Sequence, residues 1–109
     1  MGGRYYGAIR GTGGGSVVMN IDSIEDFNRA LNGGPYAWPG GYPVFFVTRD
    51  SAVLSFETVH DNRAAVRESI KNREHYGWSV CAMGINWDSN LYCEHSGERI
   101  ESAYGEDEA

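Results

Sequence analysis

A chain of 109 residues has room for one domain built on one hydrophobic core, and too little for a second. Apolar residues at 41% and aromatics at 13% exclude a disordered chain, while 15 glycines and a charged share of 22% exclude a long-helix bundle. The net charge of -6 is segregated: acids and bases balance over residues 1–87, so all of it falls on residues 88–109. There Asp88, Glu94, Glu98, Glu101, Glu106, Asp107 and Glu108 face a single base, Arg99. Such an acidic end is a local electrostatic feature rather than a general aid to solubility.

In chain order, alternation over 5–10 predicts a short strand, and the Gly/Thr/Ser run at 11–16 a turn. Val17-Val18-Met19 predicts the return strand of a loose hairpin. Asp22 or Ser23 can cap a first helix whose apolar face is Ile24, Phe27 and Leu31, and Gly33-Gly34 stops it. Residues 33–43 hold three prolines and are expected to be irregular. Pro43 to Thr48 is apolar on both faces and predicts a central strand, with Val53-Leu54 as its hairpin partner.

A second helix is expected from a cap at Ser55 or Thr58 to a stop at Gly77, with Glu57 and Asp61 early and Lys71, Arg73 and His75 late, as the helix dipole favours. Phe56, Val59, Val66 and Ile70 would be its buried side. Strands are predicted over 78–83 and 85–87 around Gly84, and at Leu91-Tyr92-Cys93, with Ile100 closing the core. The expected fold is α+β: an antiparallel sheet with two helices packed on one face, in the order ββ-α-ββ-α-ββ. Residues 1–104 form the domain and 105–109 an acidic tail.

The glycine run at 11–15 lacks the Gly-Lys-Ser/Thr of a phosphate loop and reads as a plain hairpin loop. Met1-Gly2 is followed by Tyr6 where a myristoylation motif needs Ser or Thr, and neither a signal peptide nor a transmembrane span is present. Cytoplasmic placement, no membrane association and reduced thiols at Cys81 and Cys93 are therefore expected. Cys81 with His60 and Asp61 can be drawn as a nucleophile, base and orienter, although Cys81 lies in an apolar strand pattern that suits a buried structural thiol.

Tyr36, Trp38 and Tyr42 stand in a Pro/Gly-stiffened loop, where rigid rings either offer contact area to a partner or cover the core edge. Arg63, Arg67 and Lys71 recur every fourth residue and predict a basic row on the second helix. Such a row could meet nucleic acid or receive the acidic tail, but three charges beside that tail make a poor phosphate footprint, so direct nucleic-acid binding is not expected.

Cys93-Glu94-His95-Ser96-Gly97 resembles one half of a zinc ribbon, the Cys-x-x-Cys-Gly knuckle, with Ser96 in place of the second cysteine. A tetrahedral metal there would need Cys93 and His95 plus two more ligands from Cys81, His60 or His75, which have no fixed ligand spacing; no cofactor is expected. In size and charge the chain resembles small acidic accessory proteins of bacteriophages and other mobile elements, some of which inhibit host defence complexes such as CRISPR effectors or restriction enzymes. That resemblance implies a non-enzymatic protein that docks on a basic, nucleic-acid-binding partner. Tyr36, Trp38, Tyr42 and the seven acids after residue 87 are its candidate contact residues. The alternatives are a nucleic-acid module using the basic row and aromatic loop, and a small cysteine-dependent enzyme.

Overall fold

The computed structural model describes residues 15–37, 41–87 and 90–103. The expected strand at 5–10, the glycine loop up to residue 14, Trp38, Asp88 and the tail carrying Glu106, Asp107 and Glu108 lie outside these residues. The fold class is α+β with an antiparallel sheet. Its described elements are β1 (Gly15–Asn20), α1 (Ile24–Asn32), β2 (Tyr36–Ala37), β3 (Tyr42–Thr48), β4 (Val53–Ser55), α2 (Phe56–Asp61), α3 (Arg63–Lys71) and β5 (Val80–Asn86).

The sheet runs β1-β5-β3-β2, and β4 joins the same edge of β3 as β2, because β5 already occupies the other edge along Val44–Thr48. β3 is buried from Pro43 to Thr48, as a strand apolar on both faces must be. Phe46 meets Phe27 of α1 and Phe56 of α2 at ring separations of 6.2 and 6.0 Å, which locks both helices to the centre of the sheet. Burying each such ring contributes about 1.5–3 kcal/mol.

Ser23 caps α1, its hydroxyl accepting the Asp26 N–H at 3.1 Å, while Asp26 reaches back to the Asp22 N–H at 3.0 Å. Three expectations are corrected. Residues 33–43 are not wholly irregular: Tyr36 and Ala37 pair with Pro43 and Tyr42. A proline lacks a donor but keeps its acceptor, and the Pro35 carbonyl takes the Val44 N–H at 3.1 Å. The second helix is two. Asn62 breaks it at φ -112°, its side-chain amide donating to the Thr58 carbonyl at 2.8 Å in competition with the backbone. The second part ends at Lys71, well before Gly77, because Arg73 turns left-handed at φ 54° and leaves itself and His75 outside the helix.

Two expected strands around Gly84 are one, β5, and the one expected at 91–93 is reduced to a single bridge between Tyr92 and Arg99. Instead, the C-terminal segment, residues 90–103, is fastened through side chains. Asn86, fully buried at the end of β5, donates to the carbonyls of Ile100 and Glu101 at 3.2 and 2.9 Å, and its own carbonyl accepts the Ala103 N–H at 2.7 Å. At the other end Glu94 lies along β4. Its N–H donates to the Val53 carbonyl at 2.8 Å and its carboxylate accepts the Val53 N–H at 3.3 Å, covering a strand edge that would otherwise be open.

Asn86→Ala is expected to lower stability by about 1–3 kcal/mol, since the buried Ile100 carbonyl and the part-buried Glu101 carbonyl lose their donor. Amide exchange should accelerate over residues 91–103 more than in β3, as read by hydrogen exchange; uniform acceleration would contradict the tie.

Candidate functional site

The C-terminal segment does more than close the core. It forms one wall of a cleft of about 460 Å³ whose other walls are the β2–β3 hairpin and α2. The floor is apolar, from Pro35, Pro43, Val44, Phe56 and Ile100. The rim carries four carboxylates, Glu57 and Asp61 from α2 and Glu98 and Glu101 from the segment, against one guanidinium, Arg99. A second hollow of about 280 Å³ shares Pro35, Phe56, Glu57 and Asp61 with it, so the two make one groove. Its far end is marked by His60, whose ring stacks on Phe56 and whose Nδ1 lies 3.5 Å from Asp61.

Tyr36 bridges two of the walls. Its hydroxyl donates to Glu101 at 2.9 Å, and this hydrogen bond to the carboxylate, with the carboxylate's charge, raises the phenol above its ordinary range. The groove stands out from the wider hollow of about 620 Å³ between β1 and α1, where the acid, Asp26, is already paired with Arg29 at 2.5 Å.

The sequence-predicted residues therefore divide. Tyr36, Glu98 and Glu101 come together in the groove. Glu94 is spent on the edge of β4. Tyr42 is turned away: the pairs Tyr36–Pro43 and Ala37–Tyr42 are adjacent in register, so Tyr36 and Tyr42 face opposite sides of the hairpin. Tyr42 packs on Trp87 with ring centres 5.1 Å apart. Glu57 was read as a dipole partner, and Asp61 as that and as an orienter for His60; their i, i+4 spacing was the signal that both stand on one side of the helix.

The basic row does not stand free as a phosphate footprint. Arg63 donates to the His60 carbonyl at 2.8 Å, and Arg67 donates to Asn28 at 2.9 Å while covering the Phe27 ring. Arg67 thus serves the packing of α3 on α1, while exposed Arg63 closes the end of α2 locally.

The Cys93–Gly97 turn has the tight shape of a knuckle. Gly97 adopts φ 78°, its N–H donating to the Cys93 carbonyl at 2.8 Å, and the Cys93 N–H returns to Glu98 at 2.9 Å. What surrounds the sulfur is a set of hydrogen-bonding groups: Thr58 Oγ1 at 3.4 Å and the Ser96 N–H at 3.5 Å. Burial acts to raise this thiol. Hydrogen bonds from the Ser96 and Thr58 side chains and from the backbones of Ser96 and Ser55 outweigh it and bring the pKa down to about 6.

His95 packs on Trp78 instead, at 5.0 Å between ring centres, and Cys81 is buried in β5, where desolvation drives its pKa up to about 11. The charges that act on Cys81 are Arg49, Asp22 and Asp50, and not the His60–Asp61 pair drawn from the sequence. Among the described residues no three His, Cys, Asp or Glu side chains gather as a metal site. Cys93 is only 1% exposed, which leaves its sulfur without an approach for a substrate.

Among the described residues no helix is long and apolar enough to cross a membrane. No protein-family model, no curated protein and no solved structure matches the chain.

The depressed Cys93 value makes a pH prediction. A thiol whose folded pKa lies near 6 against an ordinary 9 contributes its full stabilisation above about 9, and that contribution is lost as pH falls through 6. Cys81, displaced upward, changes nothing over that interval. Wild-type stability should thus decline from pH 9 to pH 6 relative to Cys93→Ser, measured by denaturant titration. Parallel curves would contradict an ionised sulfur.

Proposed function

We propose that this protein is a small acidic interaction protein that docks, without catalysis, on a basic surface of another protein. The observation that carries this is the groove between α2 and the C-terminal segment, where four carboxylates surround an apolar floor and one guanidinium shares the lining. A low-dielectric floor beneath like charges concentrates negative potential. Complementary charge speeds encounter and selects the partner. The acids at 106–108 extend the same sign along the chain.

A surface that ordinarily holds phosphate fits this sign best, so the partner is a nucleic-acid-binding protein or complex. The resemblance in size and charge to phage and mobile-element accessory proteins extends the proposal. In it, the chain acts in the host cytoplasm and occupies the nucleic-acid groove of a defence complex such as a CRISPR effector or a restriction enzyme. The engagement of Arg67 with Asn28 and the Phe27 ring, and of Arg63 with the His60 carbonyl, disfavours direct nucleic-acid binding.

The test is a tagged capture from cell extract, comparing wild type with a variant carrying Glu57→Gln, Asp61→Asn, Glu98→Gln and Glu101→Gln. Proteins enriched by wild type and lost by the variant should be basic, should dissociate as salt rises from 50 to 500 mM in the assay, and should be displaced by added DNA. Equal capture by both forms, or partners that are predominantly acidic, would reject the proposal.

A further inference from the structure

Resting on that reading, the geometry points to the chemistry of the occupant: the groove binds an extended segment of the partner carrying arginine side chains, rather than a flat charged surface or lysines alone. The first reason is shape. Two connected hollows meet over Pro35, Phe56, Glu57 and Asp61, giving a channel with Glu98 and Glu101 in the larger hollow, Glu57 and Asp61 at the junction and His60 at the far end. An extended strand repeats its side-chain direction every second residue, so two side chains of one segment can enter such a channel together.

The second reason is the floor. A cationic side chain entering here must lay its stem on apolar surface before its head reaches a carboxylate. Tyr36, exposed at the lip of the groove, supplies ring surface and is held in place by its hydrogen bond to Glu101, whereas Phe56 is buried with its ring already stacked against Phe46 and His60. A planar guanidinium stacks on such a ring and takes carboxylates two oxygens at a time, whereas an ammonium is more strongly hydrated and presents a point charge.

The third reason is availability. Glu57, Asp61, Glu98 and Glu101 are all exposed; Glu101 keeps one oxygen on the Tyr36 hydroxyl and Asp61 lies 3.5 Å from His60, and a fork of donors can reach the other carboxylate oxygens from solvent. Glu94, by contrast, is held by the Val53 N–H.

The experiment uses the full chain and fluorescein-labelled Gly-Ser-Arg-Leu-Arg-Ser-Gly, with matched peptides in which both arginines are lysine or glutamate. Fluorescence anisotropy at low salt should show the arginine peptide binding several-fold more tightly than the lysine peptide, with the glutamate peptide silent. The double variant Glu57→Gln/Asp61→Asn should bind the arginine peptide about tenfold more weakly while keeping its melting temperature within a few degrees, as expected for exposed charges. Amide shifts on titration should centre on residues 36, 57, 61 and 101.

If the peptide binds the double variant as well as wild type, or shifts residues elsewhere, the groove is not its site. The acidic-docking reading would then still be judged by the capture experiment above. Equal affinity for lysine and arginine overturns the stacking argument, and failure of the arginine peptide to bind at all overturns the inference outright.

Discussion

The arrangement depends on one buried amide. Asn86 ends β5 with its side-chain nitrogen committed to the carbonyls of Ile100 and Glu101 and its backbone carbonyl to the Ala103 N–H. A segment joined to itself by only one β-bridge could not hold a fixed path through backbone pairing alone. The buried amide supplies the fixed end, and the Glu94–Val53 pair supplies the other. Between them Leu91, Cys93 and Ile100 are buried, so polar anchoring and apolar burial reinforce one another.

The consequences spread from that tie. Holding residues 98–101 opposite α2 turns charges that are distant in sequence into facing walls of one groove. The break at Asn62 separates α2 from α3, so the short helix carrying Glu57 and Asp61 is set independently of the longer one packed on α1 through Arg67. Beneath the groove the Cys93 sulfur draws on Ser55, Thr58 and Ser96, three residues that also line it. The hydrogen bonds around the buried Cys93 sulfur therefore tie α2 to the segment from inside.

How much of this the sequence revealed follows from the range over which each signal acts. The caps at Ser23 and Ser55, the doubly buried β3 and the apolar sides of the helices are local patterns, and they were legible. So was the segregation of charge. The break at Asn62 was not, because it turns on a side-chain amide winning a carbonyl from its own backbone. Nor was the short β2, whose pairing depends on a proline's acceptor. At the site, Glu98, Glu101 and Tyr36 were named, but as parts of a terminal patch and an aromatic loop, two features that the fold brings into one groove. Glu57 was passed over because a helix dipole already explained it, Asp61 was drawn towards Cys81 instead, and the reassignment of Glu94 required knowing which strand edge lay open.

If the groove is made by the pinned segment, its two walls must act together, and a double-mutant cycle on affinity for the arginine peptide reads this directly. In the native background Glu57→Gln should weaken binding several-fold. In an Asn86→Ala background, kept at a temperature where the protein is folded, the same substitution should change affinity little, because the facing wall is already displaced. An equal loss in both backgrounds would mean that α2 binds without the segment, contradicting the account.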